Sequence, residues 1–343
     1  MRTPVATETG EDGIRIILRQ LTDGVEAVGE LAYKNRQEEE VMRDVLVLVN
    51  PRSGLRLSFD GLREAFDRHW ESHGVVLSYQ FCQSPEDSLA KVARAVERQL
   101  DAVIVVGGDG TVNSIAKSLV DTDVALGVIP AGSGNGFARH FEIPLTPDRA
   151  VEALSTASVK PVDVGMVDGR PFFVTCSMAW EAAIAKTFAR YPFRGIIPYV
   201  FAGVQEFFEY SRQDISVVLD GRETIRFERP LVFTVANLSQ YGGGAKIAPQ
   251  AKADDGRLEL VVVERQSIAR FVNNLVSLFQ GSINELPEVV SRRFEHLRIR
   301  RDEPTSIQVD GELVEAGSEI DVTVKAAALR VLVPARSAGK PDG

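Results

Sequence analysis

Between residues 45 and 130, short unbroken apolar runs alternate with longer amphipathic segments. Such runs are typical of strands buried on both faces of a sheet. They comprise Val45–Asn50, Ala102–Val106 and Ala125–Ile129. The segments between them, such as residues 59–73, carry apolar residues at helical spacing. Because strands and helices alternate, this part of the chain is predicted to form a wound parallel α/β sheet.

After residue 158 strand-like runs dominate, separated by Asp-Gly and Gly-rich turns. This pattern is typical of an antiparallel β-sandwich, interrupted here by helices predicted over 182–210 and 268–279. The predicted fold is therefore α/β + β, an N-terminal wound parallel domain followed by a sandwich. We predict an N-terminal extension over residues 1–43, partly disordered with a helix, and the α/β domain over 44–157. The sandwich is predicted over 158–334 and a disordered tail over 335–343.

Composition excludes several classes of protein. The 343 residues include 39 Lys and Arg against 48 Asp and Glu, a net charge of −9, so we expect no nucleic-acid partner. Cys82 and Cys176 stand far apart, which excludes a disulfide framework or zinc ribbon and favours a reducing compartment. No apolar run approaches the roughly 18 residues of a membrane span. We therefore expect a cytoplasmic protein.

Three turns that follow strands of the α/β part are suited to binding phosphate. They are Asn50–Gly54, Gly107–Asn113 and Pro130–Gly136. Glycine lets a backbone approach an anion closely, and consecutive N–H groups form a positive concavity. One such loop is more often a plain turn from strand to helix, but three at one sheet edge favour a phosphate site. The spacing of a P-loop, a dinucleotide fingerprint and a serine elbow is missing.

These loops resemble the three signatures of the diacylglycerol kinase and sphingosine kinase catalytic family, especially its soluble bacterial lipid kinases. The second half fits in order, with Tyr241–Gly244, Ile247–Pro249, Asp254–Gly256 and Gln308–Glu312, so the resemblance covers about residues 45–334. Gly-Gly-Asp-Gly-Thr alone also suits NAD kinases, and the resemblance implies an NAD-kinase-like nucleotide-binding domain.

The resemblance implies a lipid kinase that uses ATP and Mg²⁺ in an interdomain cleft. Glu312 looks like the general base, with Asp310 and Asp109 as further catalytic candidates. Asp255, with the backbones of Lys252 and Arg257, resembles a structural magnesium site. The resemblance also implies that Glu181 and Asn135 contact the headgroup of the lipid substrate. The implied nucleotide-binding residues are Asn50, Pro51, Arg52, Ser53, Gly54, Ser84, Gly108, Asp109, Gly110, Thr111, Val112, Asn113, Ser114 and Ser133.

Asp310 and Glu312 allow two interpretations from the residues alone. On an extended segment an Asp-x-Glu pair points both carboxylates to one face, close enough to raise one pKa. The alternative is a solvated hairpin, because Asp-Gly is a strong tight-turn signal.

Two positions depart from the family pattern. Ser114 stands where the family usually has glutamate, and Ala179–Ala182 stands where it usually has glycine and aspartate. The alternatives are therefore a kinase of a soluble alcohol such as NAD, or a catalytically impaired nucleotide-binding regulator.

A lipid substrate implies peripheral contact with a membrane surface. Arg190 and Arg194, beside several apolar residues, are the best candidate patch for this contact. The sequence names neither the lipid nor the oligomeric state, and it leaves a homodimer open.

Overall fold

The computed structural model describes residues 44–54, 58–70, 74–179, 213–264 and 267–335. The predictions for residues 1–43, for the helix over 182–210 and for residues 336–343 lie outside the described residues. Within the described ranges, no helix has the length and apolar character needed to cross a membrane.

The first part of the chain alternates strands and helices as predicted. Its elements are β1 Asp44–Val49, α1 Phe59–Trp70, β2 Val76–Phe81, α2 Pro85–Glu97, β3 Ala102–Gly107, α3 Asp109–Lys117, β4 Ala125–Pro130, α4 Gly136–His140 and α5 Pro147–Ser155. Strands β1, β3 and β4 are buried almost throughout, which explains their unbroken apolar runs. Helix α1 turns Leu62, Ala65, Phe66 and Trp70 into the core.

The second part is built mostly of strands. They are β5 Ser158–Val167, β6 Arg170–Phe172, β7 Thr175–Ser177, β8 Ile215–Leu219, β9 Glu223–Phe227, β10 Val232–Ala236, β11 Leu258–Val263, β12 Val289–Phe294, β13 His296–Arg301, β14 Thr305–Val309, β15 Glu312–Ala316 and β16 Glu319–Val333. Helix α6 Ile268–Gln280 and a 3₁₀ turn at Ile283–Glu285 lie between β11 and β12.

Two sheets contain all these strands. The larger sheet has ten strands, with the path β2-β1-β3-β4-β16-β13-β8-β9 and with β5 and β6 attached through β16. Strands β1 to β4 pair in parallel, whereas β16 pairs antiparallel with β13 and β5. The smaller sheet has the order β12-β11-β10-β7-β14-β15 and is antiparallel.

The antiparallel end of the larger sheet packs on the smaller sheet. Their shared core includes Val217 and Ile299 from the larger sheet and Phe233, Leu260 and Val309 from the smaller one. This confirms the predicted architecture of a wound α/β unit followed by a β-sandwich. Strand β16 joins the two, because it pairs with β4 at Val331 and with β13 at Val322.

Local boundaries differ from the predictions in two places. The strand expected over 171–176 is broken at Phe173 and Val174, whose backbone N–H groups bond to a side chain instead of to a neighbouring strand. The helix expected from residue 112 already begins at Asp109, so its first turns include most of the second phosphate loop.

Candidate active site

The three predicted phosphate loops lie side by side. They follow β1, β3 and β4, which are neighbours in the parallel part of the larger sheet, so their carboxyl ends share one edge. Ligands of open α/β sheets bind at this edge. The structure therefore brings together the three loops that the sequence singled out.

A side-chain hydrogen bond joins the first loop to the second. The Asn50 Nδ2 donates to Thr111 Oγ1 over 2.8 Å, and Asn50 Oδ1 accepts the Arg52 N–H. Ser53 Oγ donates to the Asn50 carbonyl. These bonds fix the first turn against the start of α3, while Pro51, Arg52 and Gly54 stay exposed at the edge.

Backbone contact between glycines joins the second loop to the third. A Cβ on Gly132 would lie 2.7 Å from the Gly108 Cα, a distance that real Cβ atoms do not tolerate. The Ala131 N–H also donates to the Gly107 carbonyl over 2.8 Å. Glycine at these positions is thus required for the loops to approach, which leaves Gly110 and Ser133 exposed beside them.

Asp109 and Asn135 build the third loop. The Asp109 carboxylate accepts the backbone N–H groups of Asn135, Gly136 and Phe137; burial nevertheless raises its pKa. The Asn135 amide is bonded at both ends to the Gly132 backbone, over 3.0 and 2.9 Å. The proposed catalytic and headgroup roles of these two residues stay predictions, since both side chains here hold backbone.

Three other predicted nucleotide residues lie at the starts of helices α2 and α3. Ser84 is the N-cap of α2, where its hydroxyl accepts the Asp87 N–H and donates to Glu86. Ser114 and the buried Val112 lie in the first turns of α3.

The glycine-rich segment after β10 meets the third loop from the sandwich side. The Gly243 N–H donates to the Gly134 carbonyl over 2.9 Å. A Cβ on Gly136 would lie 2.8 Å from the Tyr241 carbonyl oxygen, so this position needs glycine for the two segments to meet. His140 Nδ1, at the end of α4, accepts the Ser239 backbone N–H over 3.1 Å and lies 3.0 Å from the Ser239 hydroxyl.

Asp310 and Glu312 lie on a tight hairpin, so the prediction of an extended segment was wrong. Asp310 and Gly311 form the two-residue turn between β14 and β15, with φ angles of +47° and +90°. The turn is partly solvated, since Gly311 and Glu312 are exposed and Asp310 is half-buried. The Asp310 carboxylate accepts the N–H groups of Phe173, Val174 and Thr175 over 2.8 to 3.0 Å. Burial raises the pKa of Asp310 to about 6, against these bonds.

Glu312, in contrast, is exposed and contacts the other part of the molecule. Its Oε2 lies 3.1 Å from the Nζ of Lys117, the last residue of α3. Lys117 was missed by the sequence analysis. The available signal was its position four residues after Asn113, which places both on one face of the helix that follows the glycine loop.

Asn113 is the buried polar side chain in this region that lacks a partner. It is 5% exposed, and neither its Oδ1 nor its Nδ2 has a hydrogen-bond partner among the described residues. Buried polar groups are nearly always paired, because an unmet bond costs roughly 1–3 kcal/mol. This unpaired amide belongs to the last residue of the second phosphate loop.

The magnesium site that the resemblance implies at Asp255 stays a prediction. The carboxylate of Asp255 is paired with the Arg293 guanidinium, and its Oδ1 accepts the Arg257 N–H. Lys252 is exposed nearby. The guanidinium and the implied cation would therefore compete for the same carboxylate. Within the described ranges, no group of three or more His, Cys, Asp or Glu side chains is placed to hold a metal.

The predicted headgroup residue Glu181 and the basic pair Arg190 and Arg194 lie outside the described residues. The substrate contacts and the membrane patch assigned to them therefore stay predictions.

The fold and this site together define a two-domain protein of the kinase type, with phosphate-suited loops on a parallel sheet beside a β-sandwich. Residues 44–167 match the model of the diacylglycerol kinase catalytic domain. Residues 175–333 match the model of the YegS C-terminal NAD kinase beta sandwich-like domain. The chain belongs to the diacylglycerol kinase family of lipid kinases.

Individual relatives agree with this assignment. A diacylglycerol kinase of Mycobacterium tuberculosis H37Rv is 28% identical over 298 residues, which cover 84% of this chain and 95% of that protein. A probable YegS-like lipid kinase of Stenotrophomonas maltophilia is 27% identical over 272 residues, 75% of this chain and 86% of that protein. A putative diacylglycerol kinase from Bacillus anthracis shares the fold, with a TM-score of 0.68 at 21% identity over 85% of this chain and 97% of that one.

Proposed function

We propose that this protein transfers the γ-phosphoryl group of MgATP to a hydroxyl of a lipid. One face of α3 carries the proposal. From the glycine loop at its N-terminus the helix presents the unpaired Asn113 amide and, one turn later, Lys117 with Glu312 beside it. The helix thus carries a phosphate loop, the Asn113 amide and Lys117 in order, and Lys117 contacts the Glu312 carboxylate of β15.

The glycine loops are suited to the phosphates of ATP. The backbone N–H groups after β3 and β4 and the positive end of α3 favour a polyanion, and Asn50 and Thr111 hold two of the loops in register. Magnesium enters this proposal with ATP, as part of the substrate. Phosphoryl transfer depends mainly on such positioning and on charge stabilisation.

Glu312 is the proposed proton acceptor. The lipid oxygen bonds to the γ-phosphorus as the bond from phosphorus to the β,γ-bridging oxygen breaks, ADP leaves, and the hydroxyl proton passes to the Glu312 carboxylate. Its exposure and its single ion pair leave an oxygen free for this role. Asp310 and Asp109 hold backbone segments on either side, so we assign them to support of the site.

A lipid acceptor is supported by the relatives, which are named as diacylglycerol kinases and a probable lipid kinase. A soluble alcohol such as NAD is the second candidate, favoured by the likeness of residues 175–333 to an NAD kinase sandwich. A regulator without catalysis, suggested by Ser114, ranks below both because Glu312 lies beside α3.

The test is transfer of label from γ-labelled ATP by the purified full-length protein. The acceptors are diacylglycerol, ceramide, sphingosine and phosphatidylglycerol in mixed micelles, with NAD in parallel. We expect one lipid to be labelled, and we expect Glu312→Gln to lose roughly 10²- to 10⁴-fold in rate while it still binds ATP.

Glu315→Gln is the matched control. Glu315 lies on the same strand as Glu312 and bonds to Ser306, so its loss changes charge on β15 without touching the site. Labelled NAD with unlabelled lipids would establish the second candidate. ATP binding without transfer to any acceptor would overturn the kinase proposal, and a fully active Glu312→Gln would overturn the assignment of the base.

A further inference from the structure

The ion pair between Lys117 and Glu312 is a long-range contact, formed between residues 195 positions apart. Lys117 ends the helix that begins at the glycine loop, and Glu312 begins the outer strand of the sandwich hairpin. Among the described residues, Lys117 is the ion-pair partner that Glu312 has.

Stability is a poor explanation for this pair. The Lys117 side chain is one-third exposed and that of Glu312 is more than half exposed. Ion pairs with such exposure contribute little, because water and salt screen them. The chain has a comparable pair at Lys325 and Asp121, away from the hairpin. The position of the Lys117 pair is therefore what calls for an explanation.

The charge of Lys117 acts on both acids of the hairpin. It contacts Glu312 directly, and its attraction lowers the pKa of Asp310 against the raising effect of burial. Lys117 lies four residues after Asn113, the last residue of the second phosphate loop, which is about 6 Å along the helix. It is thus placed at the hairpin and one helical turn beyond that loop.

We propose that Lys117 is a positioning residue for phosphoryl transfer, an inference that rests on the proposed function. It holds the Glu312 carboxylate by Oε2 beside the end of α3, one helical turn beyond Asn113. Oε1 stays free to accept the hydroxyl proton. Lys117 itself gains or loses no bond to phosphorus.

Kinetics of three variants test the proposal. Because a carboxylate that is misplaced by about 1 Å loses much of its effect, Lys117→Met is expected to lower kcat roughly 10- to 100-fold. The KM for ATP should stay unchanged, since Lys117 lies beyond the loops and its ion pair is with Glu312. Lys117→Arg should restore most of the rate, and in a Glu312→Gln background Lys117→Met should cause no further loss.

Lys325→Met is the matched control, because it removes a lysine from a similarly exposed ion pair away from the site. It should leave kcat and KM unchanged. A normal kcat in Lys117→Met would overturn the proposal. So would a raised KM for ATP with normal kcat, or an additional loss in the Glu312→Gln background, since either places Lys117 outside the action of Glu312.

A measurement independent of turnover separates this inference from the proposed function. Titration of the Asp310 carboxyl carbon by ¹³C NMR, assigned with Asp310→Asn, should show a higher pKa in Lys117→Met than in the wild type. Lys325→Met should leave it unmoved. An unmoved pKa in Lys117→Met overturns the placement of Lys117, whereas absence of transfer by the wild type to any acceptor overturns the proposed function.

Discussion

At the scale of single residues, the Asn113 side chain is the one from which ligand binding can be tested most directly. Its amide is buried with no bonding partner, next to loops whose geometry suits phosphate. A site of this kind gives up stability in the free protein and regains it when a ligand pairs with the amide.

Asn113→Leu separates these two effects. Leucine is similar in size and needs no hydrogen bond, so we expect the free energy of unfolding of the nucleotide-free protein to rise by about 1–3 kcal/mol. Affinity for MgATP should fall at the same time. Thermal unfolding and isothermal titration calorimetry measure the two quantities, and a variant that is less stable yet binds MgATP normally would show that Asn113 serves packing alone.

At the scale of elements, β12 meets the loop before β11 at the position where the resemblance implies magnesium. Arg293 on β12 pairs with Asp255, the residue that looked like a magnesium ligand. We therefore expect EDTA to leave the melting temperature of the wild type unchanged.

Arg293→Met tests whether the Arg293 guanidinium takes the place of a metal ion beside Asp255. The pair is partly exposed, so its loss should lower the free energy of unfolding by about 1 kcal/mol. Because the Asp255 carboxylate is then free, the melting temperature of the variant should rise with added Mg²⁺. The control is Arg292→Met. Arg292 lies on the same strand as Arg293 and has an exposed ion pair with Glu223 of β9, so the melting temperature of this variant should not respond to magnesium. A wild type that EDTA destabilises would contradict the replacement.

The elements also show what the sequence reveals and what it conceals. Strands β1, β3 and β4 were predictable because burial on both faces demands unbroken apolar runs, and their order placed the three loops at one edge. The break between β6 and β7 was not predictable, because its cause is the Asp310 carboxylate more than 130 residues away. The pairs of Lys117 with Glu312 and of Arg293 with Asp255 are likewise contacts between distant segments, which leave no periodicity in the sequence.

At the scale of the whole molecule, the α/β part and the sandwich are joined as one body. Strand β16 belongs to both, and the described residues fall in one compact unit. Around the site the two parts also meet at Gly134 with Gly243 and at His140 with Ser239. These hydrogen bonds join the third loop and the end of α4 directly to the sandwich part.

His140 makes one of these contacts sensitive to pH. Its Nδ1 accepts the Ser239 N–H, so the ring proton resides on Nε2, and protonation of Nδ1 would break the contact. Burial lowers the pKa of His140 to about 4, against an attraction from Asp254. The stability that this residue contributes is present above its unfolded pKa of 6.5 and is lost as the pH falls from there towards 4.

Asp310 changes the stability in the opposite direction over nearly the same pH range. Its folded pKa of about 6 exceeds its unfolded value of 3.8, so the folded state takes up a proton first as the pH falls. The contribution of Asp310 to stability therefore increases from pH 6 to pH 4, where that of His140 decreases. Each slope is about 1.4 kcal/mol per pH unit, so the two largely cancel.

Single variants should separate the pH-dependent contributions of His140 and Asp310 to stability. His140→Asn keeps an acceptor for the Ser239 N–H but cannot be protonated, so its unfolding free energy between pH 6 and 4 should fall less steeply than that of the wild type. The unfolding free energy of Asp310→Asn should fall more steeply than that of the wild type. In both variants the slope should differ from the wild-type slope by about 1.4 kcal/mol per pH unit. Urea unfolding at several pH values measures these slopes, with His69→Asn on α1 as the control that removes a histidine outside this contact. Parallel curves for His140→Asn and the wild type would mean that the histidine is not neutral at the junction, and the contact with Ser239 would then have to survive protonation.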